Sequence, residues 1–574
     1  MKILDVNEQA YRKCYGISLQ GMFDSFFLEQ KVLTNPVCKE HTENDLQLPE
    51  DIRFLVLIGF GDGRFVREIA GRMKNCRMTV YEPDLLSFLA TCCNFDVSDL
   101  INKVDIVLGD RENDEMLYSY WRDRIDILDY NHLFIKYTPG NEILYPGLLK
   151  RVVNGVKKAL TGHTADLKTS LVYSRTQFKN YLYAISILRY NATFGSLLQQ
   201  IPDRTIPIIL VGAGPSLEKN APKLALAKGK AFIIACTRAM HTLKKYGIET
   251  DLIGMVDMEE GHDYCVSDEE RKYSVLFSAD AALDIQRNYR GKGIYFGLNR
   301  HKAAVNGLEN EIGEIYTGGS VITYLFSLFV TAGFRRFIFA GEDLAYSEEG
   351  VSHSGEWQDE MTGSAEYIEG IDGKKVRSRG DWMIFRQFLE EQIHNHPEIR
   401  VVDATEGGAL IHGTEVMTLE DAIDQLTDTV YSIEKWIKDL PKGTVGRKEE
   451  VMAWFMDIDS SCAGLQPVLG DAIALNCMVS RHMDKGTFDT PLCRDLCVEY
   501  DKAYQKVLKA PGIEVLKEYC ADVIFGYSEK AQYLNRDDTV RERLKLEKEF
   551  FENLRSACSE LRSYIRGLIE ENLS

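Results

Sequence analysis

No apolar run in this chain is long enough to cross a bilayer. The longest, VITYLFSLFVTAGF at 321–334, holds 14 residues, where a membrane helix needs about 20. The opening MKILDVNEQAYRK has no apolar leader core and no cleavage signal. Positive charge is scarce too. The 68 Lys and Arg stand against 87 Asp and Glu, a formal charge of −19. That balance argues against nucleic acid or an anionic membrane as a main partner, while leaving room for a local basic pocket that takes one nucleotide. A disulfide framework is also missing, because the 13 Cys are an odd number in a long chain and fit a reducing compartment. No His or Cys spacing matches zinc. Cys92 and Cys93 are adjacent, Cys493 and Cys497 lie four apart on an expected helix, and all four read as core packing. The expectation is a cytoplasmic, soluble protein.

What is present is globular. With 45% hydrophobic and 27% charged residues the chain has ordinary folded composition. Its 574 residues exceed a single core, and about three or four domains are expected from length alone. The pattern gives an α/β protein in three parts. A Rossmann-like N-terminal domain spans 1–160, a central doubly wound α/β domain 161–425, and an all-helical domain 426–574.

The N-terminal part runs strand, glycine turn, helix in FLVLIGFGDGRFVREIA (54–70), then the strands MTVYEPD (78–84) and VDIVLGD (104–110). Gly59, Gly61, Gly63 and Glu82 resemble the nucleoside-binding half of an S-adenosylmethionine-dependent methyltransferase. There the glycines admit the ligand and the acid takes the ribose hydroxyls. The strand LVLIG lacks the acid usual just ahead of the first glycine. A scaffolding domain is the other reading.

A helical connector at 178–204 leads to IPIILVGAGPSLE (206–218), an apolar strand that stops at a glycine turn. Gly212 and Gly214 let the backbone approach a ligand, while Pro215 and Ser216 suit a helix start whose free N–H groups favour phosphate. The strands that follow each end on a polar residue: Thr237 and Arg238, then Asp257, then Ser278 and Asp280. In an open α/β sheet that carboxyl edge is where ligands bind. TGGS (317–320) precedes an apolar helix and offers a second anion site, with Ser320 near its N-cap. FRRFIFAGEDLAY (334–346) is another strand, followed by a charged, Gly-rich loop at 348–380, a helix from about 381 and IRVVDATEGGALIHG (399–413).

GAGPSL (212–217), MVDMEE with Asp257, TGGSV (317–321), GEDLAY (341–346) with His353 beyond it, and ATEGGA (404–409) occur in this order. Together they resemble the motility-associated factor (Maf) flagellin glycosyltransferases and, more distantly, bacterial sialyltransferases that use CMP-sugars. The resemblance covers about 206–415. A family with the same opening motif comprises the archaeal-type hydroxymethylpterin diphosphokinases. The Maf resemblance implies transfer of a pseudaminic- or legionaminic-type nonulosonic acid from its CMP-activated form to Ser or Thr of flagellin. It further implies that Gly212, Gly214, Pro215 and Ser216 cradle the nucleotide phosphate and that Thr237 and Asp257 meet nucleoside and sugar. Gly319 and Ser320 would hold the cytidine or its phosphate, and Asp343 and Tyr346 would close the site. Two positions depart from the pattern. Asp403 stands where the family often has Asn, and KKVRSRGDW (374–382) occupies the approximate place of a sialyltransferase histidine base, so Arg377 and Arg379 become candidates for the acidic sugar or leaving phosphate.

A CMP-linked sugar already has a good leaving group, so the enzyme must deprotonate a hydroxyl, align the reactants and neutralise the phosphate. His353 is the expected base, with Asp343 or Asp257 as alternatives, and configuration inverts. Tyr346 either donates to phosphate or packs. No cofactor is expected and no metal is required, although Asp257, Glu259 and Glu260 could take Mg²⁺. The competing readings are a Mg-ATP-dependent pterin-type diphosphokinase and a non-catalytic flagellin-binding assembly factor. Beyond the linker-like KDLPKGTVGRKEE (438–450) the tail reads helical. Leu546, Phe550, Leu554, Ala557, Leu561, Ile565 and Leu568 form an apolar stripe, expected either to be buried in a bundle or to serve acceptor binding or self-association.

Overall fold

The computed structural model describes residues 3–15, 18–19, 39–49, 52–73, 76–109, 120–121, 124–125, 132–258, 273–299, 308, 311–312, 315, 317–355, 366–533 and 540–573. They form two compact units, Met1–Ser170 and Leu171–Ser574.

The first unit opens with helix α1 (Ile3–Tyr15) and is built on strands β1 (Phe54–Ile58), β2 (Arg77–Glu82), β3 (Asp105–Leu108) and β4 (Leu133–Tyr137). They lie in the order β3-β2-β1-β4 and pair in parallel throughout. Along β1 alternate residues enter different cores. Leu55 and Leu57 face the cluster of α2 (Arg64–Arg72) and α3 (Leu85–Asn94), and Phe54, Val56 and Ile58 face the other side. A strand covered on both faces must be apolar at every position, and FLVLI is. Helix α4 (Leu148–Ile187) follows.

The second unit holds β5 (Ala192–Thr193), β6 (Ile208–Val211), β7 (Phe232–Cys236), β8 (Leu252–Met255), β9 (Ser274–Ser278), β10 (Lys292–Phe296), β11 (Arg336–Ala340), β14 (Arg400–Asp403) and β15 (Glu415–Val416). Their order is β15-β14-β11-β6-β7-β8-β9-β10-β5, parallel throughout. The chain winds outward from β6 to one side and then restarts at β11 on the other, so the switch point lies between β6 and β11. The short α5 (Leu217–Asn220), α6 (Ala239–Lys245), α7 (Val321–Thr331) and α8 (Gly380–Asn395) connect these strands.

One expectation is corrected here. The charged stretch at 348–380 is a loop only in part, because Glu366–Glu369 (β12) and Lys375–Ser378 (β13) pair as an antiparallel hairpin. EYIE is mostly exposed and KVRS mostly half-buried with Ser378 buried, and these short, mixed sequences carry no sustained apolar alternation.

Helices α9 (Lys448–Asp484), α10 (Pro491–Leu508), α11 (Pro511–Tyr519), α12 (Ala521–Tyr533) and α13 (Val540–Leu568) complete the unit. Their buried side chains belong to the same continuous apolar cluster as the sheet. Against the expectation that no run is long enough to cross a bilayer, α9 meets the length and composition of a membrane-crossing helix, a test that the core helix of a folded domain also passes. Val451, Phe455, Ile458, Cys462, Leu465 and Leu469 bury one of its faces, and α13 packs along it. On α13 the stripe residues Phe550, Leu554, Ala557, Leu561, Ile565 and Leu568 are buried and Leu546 is half-buried, so from Phe550 onward the stripe is core and not a docking face. The cysteines read as packing agree, with Cys92 and Cys493 buried and Cys93 and Cys497 half-buried.

Leu554 is fully buried, so Leu554→Ala should cost about 2–5 kcal/mol in urea unfolding. A loss below about 1 kcal/mol would place the stripe at a surface.

Candidate functional site

Three loops leave the carboxyl ends of β6, β11 and β14 and interlock at the switch point. The amides of Gly212 and Gly214 donate to the carbonyls of Ala340 (2.8 Å) and Gly341 (2.7 Å). Asp343 then takes both donors of Ser216, the amide at 2.9 Å and the hydroxyl at 2.6 Å. This approach is why position 214 is glycine, since a Cβ there would sit 2.2 Å from the Asp343 carboxylate. The Asp343 carbonyl accepts the Ala409 amide at 2.8 Å. Asn220 donates to the carbonyls of Ala404 (3.1 Å) and Thr405 (2.7 Å), so GAGPSL, GEDLAY and ATEGGA form one assembly. Among the described residues two non-glycines have positive φ, Leu344 (49°) and Glu406 (59°), and both lie in these loops. Backbone strain of this kind clusters at functional sites.

The assembly is acidic inside. Glu342, Asp343 and Asp403 are all buried. Burial, reinforced by Asp343 and Asp403, pushes the Glu342 carboxyl up to about 8. Burial likewise pushes Asp343 up to about 7 against the lowering effect of its Ser216 bonds. Burial raises Asp403 as well. Beside them the Cys236 thiol, at the end of β7, is pushed up to about 12 by burial and lies within electrostatic range of Glu342, Arg238 and Asp257.

Next to this core stands a cationic and aromatic face. Arg238, which begins α6, places Nη1 3.3 Å from His353 Nε2, and the other ring nitrogen lies 3.0 Å from the Ser352 hydroxyl. Ser354 donates its amide to the Ala213 carbonyl at 2.8 Å, which fixes the His353 loop on the GAGPS turn. Tyr346 donates its amide to the Arg377 carbonyl at 2.8 Å, and the Arg377 guanidinium sits 4.9 Å from the Tyr346 ring centre. Trp382 closes the group, 4.8 Å from Tyr346, 6.2 Å from His353 and under the Arg379 guanidinium at 4.2 Å.

The structure thus brings together Gly212, Gly214, Pro215 and Ser216 with Asp343, and His353, Tyr346 and Arg377 with Arg238 and Trp382. The donors of Gly212, Gly214 and Ser216 are engaged by the protein's own oxygens, so a phosphate on this turn would have to displace Asp343. Pro215 precedes α5, whose N-cap is Ser216. Thr237 is buried in the turn after β7. Asp257 is half-buried beyond β8, and its carbonyl takes the Ala282 amide at 2.8 Å. Ser320 caps α7 reciprocally with Thr323, and Gly319 lies against Phe385 of α8. Glu259 and Glu260 lie outside the described residues. Among the described residues no group of three His, Cys, Asp or Glu side chains could hold a metal. Glu342 and Trp382 lie within GEDLAY and KKVRSRGDW, motifs that assign them no role; the fold places them at the edge.

In the first unit, the nucleoside position is filled from within. Glu82 is fully buried and accepts from the Phe60 amide (2.8 Å), the Asp84 amide (3.0 Å) and the Tyr145 hydroxyl (3.0 Å). Asn141 lies so close to Gly59 that a Cβ there would be 2.2 Å from it. The scaffolding reading fits these contacts, and burial pushes the Glu82 carboxyl up to about 7.

A parallel sheet with a switch point, interlocked loops and a polar carboxyl edge defines a doubly wound α/β fold, whose ligands as a class bind at that edge. Residues 179–349 match a family model described as "6-hydroxymethylpterin diphosphokinase MptE-like". Among solved structures the MAf glycosyltransferase from Magnetospirillum magneticum AMB-1 matches 98% of this chain and 88% of its own, with a TM-score of 0.58 and 14% identity. The chain therefore has the fold of a Maf glycosyltransferase, as the motif order led us to expect. No curated protein matches the chain.

Glu342 binds its proton more tightly folded than unfolded, so stability should fall as pH rises from about 4.5 to about 8 and then level. Glu342→Gln should flatten that slope, by up to about 1.4 kcal/mol per pH unit. Urea titrations of both proteins across this window test it, and superimposable slopes would mean the acid is not held protonated.

Proposed function

We propose that the chain is a cytoplasmic glycosyltransferase that moves a nonulosonic acid from its CMP-activated form to Ser or Thr of flagellin, in support of flagellum assembly. The observation that carries this reading is the Arg238–His353 pair beside Tyr346 and Arg377, at the carboxyl edge of a Maf-type fold. Arg238 donates to the Nε2 lone pair, and once Arg238 turns to the donor's phosphate that lone pair is released to take a proton while Nδ1 faces Ser352.

The acceptor hydroxyl attacks the anomeric carbon as the bond to the CMP phosphate breaks. The proton passes to His353, and configuration inverts in one displacement. Arg238 and Arg377 neutralise the departing phosphate and the sugar carboxylate. Tyr346 positions Arg377. Asp343, committed to Ser216, serves better as a brace than as a base. Asp257, Gly319 and Ser320 flank the same edge for nucleoside contact. A metal is not required in this scheme.

The family match over 179–349 favours a second reading, an ATP-dependent diphosphokinase acting on a pterin-type alcohol. A non-catalytic flagellin-binding factor is the third.

Incubation with a CMP-nonulosonic acid and purified flagellin should add the sugar's mass to flagellin without added Mg²⁺. His353→Ala should slow transfer by about 10²–10⁴-fold, and Arg377→Ala should mainly raise KM for the donor. Full transfer by His353→Ala removes the base assignment. AMP release from Mg-ATP with hydroxymethylpterin, and no change in flagellin mass, would establish the second reading.

A further inference from the structure

The helical part of the second unit carries an open groove of about 1010 Å³ between α9 and α10, away from the carboxyl-edge site. Its accessible lining is mostly apolar and runs from Ser460 to Val468 on one wall and from Val498 to Lys509 on the other. At 1.5 Å per residue these walls extend about 12 to 17 Å, two to three helical turns. We propose that this groove docks an amphipathic helix of a protein partner whose apolar face is flanked by Asp or Glu.

Three features select that occupant. The floor is flat and low, because Gly464 sits exposed in the middle of a 37-residue helix and a Cβ added there would meet nothing within 4 Å. Glycine weakens a helix interior, and among the described residues no contact requires it at this place. An exposed backbone floor with Ser460 and Ser461 beside it lets another helix approach closely and meet polar atoms, which suits a polypeptide better than an acyl chain. The wall presents Val498 at 53% exposure, an apolar side chain without cover. The rim is basic in an otherwise acidic protein. Lys502, Lys506 and Lys509 line it against the single acid Asp501. Lys502 pairs with exposed Glu499 at 2.9 Å, whereas Lys506 and Lys509 have no carboxylate partner among the described residues. Apolar floor and cationic rim together fit an apolar helix face with acidic flanks. The inference stands apart from the glycosyltransferase reading, since it uses none of that site's residues.

The test uses the full chain and four fluorescein-labelled 18-residue helical peptides. They share one Leu/Ile face flanked by Glu, by Gln or by Lys, and the fourth is a scramble of the Glu peptide. Fluorescence anisotropy should show the Glu peptide binding at least tenfold tighter than the Lys peptide, with affinity falling as salt rises. Gly464→Phe, whose Cβ meets nothing within 4 Å, places a ring on the floor and should weaken the Glu peptide at least tenfold. Lys506→Glu/Lys509→Glu should reverse the preference between Glu and Lys peptides, a readout that misfolding cannot give. Equal binding of all four peptides, or Glu-peptide binding unchanged by both variants, would overturn the proposal. Sedimentation velocity and flotation with anionic vesicles cover the other occupants. A dimer lost in Gly464→Phe would assign the groove to a second copy, and vesicle binding lost in that variant would assign it to lipid.

Discussion

The carboxylate of Asp343 accepts the Ser216 amide and the Ser216 hydroxyl at once, across the point where the central sheet reverses direction. Three loops depend on that contact. Its side chain holds the turn after β6, its carbonyl holds the turn after β14, and its neighbours Leu344 and Tyr346 carry the chain toward the hairpin that delivers Arg377. A buried carboxylate with two good donors is stable where an unpartnered one would cost several kcal/mol. The positive φ of Leu344 is tolerated because the surrounding bonds leave it little alternative.

The site therefore divides into a brace and a working face. The brace is acidic and buried, and the amides of Gly212, Gly214 and Ser216 are committed to the protein. The proposed working face is the Arg238, His353, Tyr346, Arg377 and Trp382 group, where Arg238 meets His353 and the Arg377 guanidinium lies against the Tyr346 ring. In a protein of net charge −19, clustering Arg at one edge would let the anionic donor proposed above approach. The first unit shows the same fold grammar put to another use, with Glu82 bonded inward to Phe60 and Tyr145.

Much of the fold was legible because parallel sheets leave a strong trace. Strands such as IILV and FIIAC are apolar at every position, and each is followed by a glycine or polar turn. The order of GAGPSL, TGGSV, GEDLAY and ATEGGA likewise pointed to the Maf fold. The hairpin carrying Arg377 was not legible, since EYIE and KVRS are short and mixed and sustain no apolar alternation. Nor could spacing show that Ser216 would be claimed by an aspartate 127 residues away. A free helix-start amide and an engaged one have the same sequence. The stripe on α13 posed the reverse problem, because apolar periodicity marks a contact without saying with what, and here α9 supplies it.

The central claim is that a nucleotide-linked substrate contacts the cationic and aromatic face while the brace stays closed. Hydrogen exchange of the full chain with and without CMP tests it most directly. The account predicts protection by CMP in peptides covering 237–241, 346–355 and 377–382, with 212–218 slow in both states. Protection confined to 54–84, or no protection at 346–355 and 377–382 at saturating CMP, would contradict it.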